Sequence, residues 1–140
     1  MATLLSTTQQ DSVLKNVFNG ETIATGSRYL ALFNGDPHAG GTELTTSITG
    51  AAARLQVDGE FAVPTTVGGY QQTSNESALT ITASAVNVSN ETATYFAIYD
   101  ASTAGNLIAG YALTSALIIA TGNAVEFAIG QLVVTFADPA

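Results

Sequence analysis

Few residues in this chain are equipped for chemistry. Among 140 residues there is one histidine, His38, no cysteine, three cations (Lys15, Arg28 and Arg54) and eleven carboxylates. The composition excludes a disulfide, a thiolate nucleophile and a thiolate metal site, and a lone histidine excludes a paired-histidine mechanism. A Ser-His-Asp relay would have to recruit His38 from "GDPHAGG", and no G-x-S-x-G elbow is present to hold out a serine. His38 therefore reads as a turn residue. Two acid pairs lie close in sequence, Asp36/Glu43 and Asp58/Glu60. Glycoside hydrolysis needs two carboxylates flanking one bond, one of them kept protonated, but both pairs stand in turn-like sequence where carboxylates are ordinarily solvated. "NGDPHAGGTE" has no D-x-D-x-D-G calcium pattern, so a cation at Asp36 and Glu43 is left open. "AGG" and "VGG" lack the spacing of a phosphate cradle. The N-x-S/T triplets at Asn75, Asn87 and Asn90 arise easily in a chain rich in these residues. The expectation is no catalytic, cofactor or metal site, and no enzyme.

The elements that would position any site come from composition and periodicity. The length suits one domain with a proper core. Charged residues make up only 10% of the chain, with a formal net charge of −8. That sign argues against a nucleic-acid backbone or an anionic membrane surface as partner. No run reaches the roughly 18 apolar residues of a spanning helix, and "MATLLSTTQQ" lacks the basic start of an export signal. A soluble protein made in a cytoplasm is expected.

In "TTQQDSVLKNVFNG", Val13, Leu14, Val17 and Phe18 share one helical face and Asn19-Gly20 forms a stop. After Gly26 the pattern changes to β-branched and aromatic runs broken by turn clusters, predicting strands at 28–33, 53–57, 60–63, 78–82, 92–99, 107–113, 116–120, 125–129 and 132–136. The stretch "TTVGGYQQTSNES" reads as a turn cluster. The expected fold is all-β: a single antiparallel β-sandwich, jelly-roll-like or Ig-like, with one short N-terminal helix. Residues 1–20 form an arm and helix, and 21–140 the sandwich. Phe33, Phe96, Phe127 and Phe136 fall within apolar runs and are expected in the core.

"YFAIYDASTAGNLIAGYAL", residues 95–113, is a hairpin apolar on both faces. Such a strand is either covered twice by its own chain or covered once by another subunit. Tyr95, Tyr99 and Tyr111 are therefore candidate interface residues, and with Tyr70 they are candidate stacking platforms for a sugar. Leu4 and Leu5, alone in the polar stretch "MATLLSTTQQDS", are the candidate anchors of an arm laid on a neighbour.

That hairpin and "YLALFNGDPHAGGTEL", residues 29–44, resemble a family of small tailed-bacteriophage virion proteins often labelled tail fibre proteins. The likeness continues through "SVLKNVF" and "ATGNAVEFAIGQLVVTFA". It departs at "ITGAAARLQV", where the family has G-G-G-Y-A-R and only Ala53-Arg54 is retained. The resemblance implies a non-enzymatic virion structural protein. The first reading is a capsid decoration, or cement, protein on the head surface, a homotrimer binding the major capsid protein or another neighbouring virion protein. The alternative is a tail fibre or baseplate-associated component contacting host-surface glycan.

Overall fold

The computed structural model describes residues 7–22, 26–44, 54–82, 90–120 and 124–136. Helix α1 (Thr7–Asn19) forms where the apolar spacing places it. It carries an i,i+4 pair between Lys15 and Asp11 at 2.8 Å. It stops where Gly20 turns left-handed at φ 69°, and Asn16 Nδ2 closes the end on the Glu21 carbonyl at 2.6 Å. Among the described residues no helix is long and apolar enough to cross a membrane.

Among the described residues nine strands follow, all paired antiparallel: β1 (Tyr29–Phe33), β2 (Leu55–Gln56), β3 (Thr65–Val67), β4 (Tyr70–Ser74), β5 (Leu79–Thr82), β6 (Glu91–Tyr99), β7 (Leu107–Ile119), β8 (Ala124–Phe127) and β9 (Val133–Phe136). They form a four-stranded sheet in the order β2-β1-β6-β7, a three-stranded sheet β3-β4-β9 and a pair β5-β8. The fold is an all-β, sandwich-like one with, among the described residues, one short α-helix, as the punctuation of the sequence predicts.

Pleating divides the large sheet into two apolar faces. On one, Leu30, Leu32, Phe96, Ile98, Ala109 and Tyr111 join Leu79, Ile81, Val125, Phe127 and Leu132 in the main core. On the other, Ala31, Phe33 and Ala97 form a second cluster with Tyr95, Tyr99 and Leu107 packed against it. The 3₁₀ turn Pro37–Ala39 lies against part of this second face, at Gly110. A Cβ added at Gly110 would lie 2.4 Å from Pro37 Cγ, so the absent side chain lets the turn lie down on β7. Phe33, Phe96 and Phe127 are buried, as expected. The Phe136 side chain lies outside what is described.

Three sequence expectations need correction. The cluster read as turns at 65–74 is the hairpin β3–β4, its strands joined by Gly68 and Gly69, both at positive φ, with Val67 paired to Tyr70. The strand expected at 60–63 is a single bridge, Phe61 to Asn75. The two strands expected at 107–113 and 116–120 are one strand, β7, interrupted by a bulge. Ala93 pairs with Leu117 and Tyr95 with Ala112, so Thr94 alone stands opposite Leu113, Thr114, Ser115 and Ala116.

A buried polar residue fastens the two small sheets. Asn75, 1% exposed, accepts from Leu132 N at 2.9 Å through its side-chain oxygen and donates to the Ser77 and Ala128 carbonyls at 2.8 and 3.0 Å. Its burial removes it from consideration as a glycosylation acceptor.

Candidate interaction surface

The best-built side-chain cluster centres on Arg54, at the entry to β2. Its Nε and Nη2 grip both Glu43 oxygens at 2.7 and 2.8 Å, and Nη1 donates to the Ala101 and Ala104 carbonyls at 2.9 and 2.7 Å. The guanidinium lies over the Tyr99 ring, 3.5 Å from its centroid. Tyr99 also stacks on Phe33, with ring centroids 6.3 Å apart. The hydrogen bonds to Glu43 hold the Arg54 pKa above its ordinary value against the opposing effect of burial. Burial raises that of Tyr99. The cluster ties the 43–44 segment, β2 and the loop after β6 into one unit, with every Arg54 nitrogen engaged.

The acid pairs of the sequence are occupied within the chain. Asp36 accepts from the His38 backbone at 2.8 Å, and Glu43 is held by Arg54. Asp58 accepts from the Arg28 backbone and from Gln56 Nε2, which together depress its pKa, the Gln56 bond most. Glu60 accepts from Ser77 Oγ. Among the described residues no three His, Asp or Glu side chains converge as metal ligands.

The expected contact residues are distributed unevenly. Leu4 and Leu5 lie outside the described residues. Tyr95 and Tyr99 are half-buried on the second face of the large sheet. Tyr111 belongs to the main core instead: only 9% exposed, it stacks on Phe96 with ring centroids 5.5 Å apart, and burial pushes its pKa up to about 12. It faces inward because β7 residues alternate, and Tyr111 shares its side with Ala109. Tyr70 is exposed beside Val67 at the tip of the β3–β4 hairpin.

The apolar surface that the sequence did not reveal lies elsewhere. Leu14, Val17 and Phe18 of α1 are exposed, and so are Val63, Ile118 and Ile129. At the β7 bulge a cleft of about 320 Å³ opens between the strand and the β8–β9 turn. Its walls are Leu113, Leu117, Phe127 and Val133, and Thr114, Ser115 and Gln131 bring polar groups to it. The periodicity showed that α1 has an apolar face but could not show whether the face is covered. The cleft depends on a bulge, for which the sequence carries no distinctive mark.

A family model described as the podophage GP4 fiber I protein gp80 matches residues 4–135. No curated protein matches the chain.

Proposed function

Starting from the fact that the chain belongs to the podophage GP4 fiber I protein family, we propose that it is a non-enzymatic structural subunit of the virion's tail fibre apparatus. The observation that carries this reading is the near full-length family match, whose description names a fiber protein. It supports the tail-fibre alternative over head decoration, the first reading of the sequence. The apolar surface of α1 and the β7 cleft suit a subunit that works by contact with copies of itself and with neighbouring virion proteins. We take the working unit to be a homotrimer.

Antibody labelling of intact virions in the electron microscope, with quantitative mass spectrometry of copy number, tests the assignment. Label at the tail and a copy number in the dozens are expected. Label over the head with hundreds of copies would return the protein to capsid decoration.

A further inference from the structure

Two of the features above complement each other. The apolar face of α1 ends in Phe18, which is 77% exposed, with Val17 at 65% and Leu14 at 56%. Three large apolar side chains in a row on a thirteen-residue helix are a surface awaiting cover. The β7 cleft is walled by leucine, phenylalanine and valine side chains. Its volume of about 320 Å³ is well above the roughly 150 Å³ that accommodates a benzene ring. We propose that α1 of one copy lays Leu14, Val17 and Phe18 into the β7 cleft of a neighbouring copy, and that repetition of this contact closes the oligomer into a ring.

Charge argues for a second copy as the occupant. The chain carries a formal charge of −8, yet residues 1–20 contain only Asp11 and Lys15 as charged side chains, which cancel. All of the net charge thus lies in residues 21–140, and such bodies repel one another unless they meet through neutral surfaces. The cleft lining holds no ionisable residue. A helix whose Asp11 and Lys15 cancel, entering a cleft without ionisable groups, joins two acidic bodies through surfaces that add little repulsion.

Reach permits the exchange. Nine residues, 20–28, join α1 to β1, and a chain of that length spans up to about 30 Å. One helix of this size, about 20 Å long, presents a single narrow apolar stripe. In a ring each copy gives one helix and receives another, so each chain is held at two interfaces. The contact is heterologous, helix to cleft, and such contacts make rings when the rotation closes.

This inference rests on the self-association proposed above, and its test is separate from the virion labelling. The chain has no cysteine, so the full-length single variants Val17→Cys and Ser115→Cys can be mixed and treated with a short bismaleimide. A crosslink between the two variants joins different copies by construction and is the expected product. In parallel, Phe18→Ser should lower the mass in light scattering from oligomer to monomer while leaving the thermal midpoint of the β-fold unchanged, because Phe18 is exposed within its own chain. The proposal is overturned if an oligomer forms with no helix-to-cleft crosslink, if Ser115→Cys crosslinks chiefly to itself, if Phe18→Ser stays assembled, or if the unaltered protein is a monomer. None of these outcomes would move the label from tail to head.

Discussion

Arg54 is the residue on which most separate segments depend. Its planar fork meets both Glu43 oxygens while its remaining nitrogen reaches two carbonyls of the loop after β6, a pattern that a lysine ammonium cannot reproduce. Arg54→Lys should therefore lower stability in urea unfolding by about 2–3 kcal/mol, since it leaves partly buried acceptors unmatched. A loss of a few tenths would mean that the cluster is ornamental. Tyr111 gives a second measurement. In the unfolded chain its phenol titrates near 10, and in the folded chain burial holds the proton to about 12. The folded state binds that proton more tightly, so the contribution to stability is whole below pH 10 and is lost as pH rises through 12. Tyr111→Phe should flatten the decline in stability across this range. At neutral pH it should cost less than about 1 kcal/mol, because the hydroxyl has only a long contact of 3.4 Å to the Thr135 carbonyl.

Among the elements, β1, β5, β6, β8 and β9 were legible because each is a compact apolar or alternating run that ends in the core. Hairpin β3–β4 was not. Its Thr and Gln residues are mostly solvent-exposed, so no buried face imprinted a period of two on the sequence. The β7 bulge and the Arg54 cluster were hidden for a different reason. They depend on residues brought together from 43, 54 and 99–104, or from β7 and the β8–β9 turn, and spacing along the chain does not report such meetings. Packing of the 3₁₀ turn on β7 is open to direct test. Gly110→Ala would drive a methyl group to within 2.4 Å of Pro37 Cγ and 3.3 Å of His38 Nε2, and should cost about 1–3 kcal/mol by overpacking. Thermal unfolding would register it, and a neutral result would show that the turn floats free of the sheet.

The protein is an acidic sandwich in which the Arg54, Asp58 and Asn75 side chains hold loops in place. Its acidity sets how copies meet. With −8 on each chain, self-association should strengthen as salt is raised from about 10 mM to 150 mM, over which the Debye length falls from roughly 30 Å to 8 Å. Sedimentation equilibrium at the two salt concentrations would measure this, and weakening with salt would point instead to an interface built from ion pairs.

The β3–β4 hairpin bears on how such a protein can diversify. All three β3 residues and the first two of β4 are exposed, and a Cβ built at Gly68 or Gly69 meets no neighbour within 4 Å. Residues added at that tip would extend into solvent and leave the core undisturbed, and loops of this kind can lengthen at small entropic cost. The hairpin is thus a place where this scaffold can accept foreign peptide, whether through drift between related phages or through the insertion of an epitope tag.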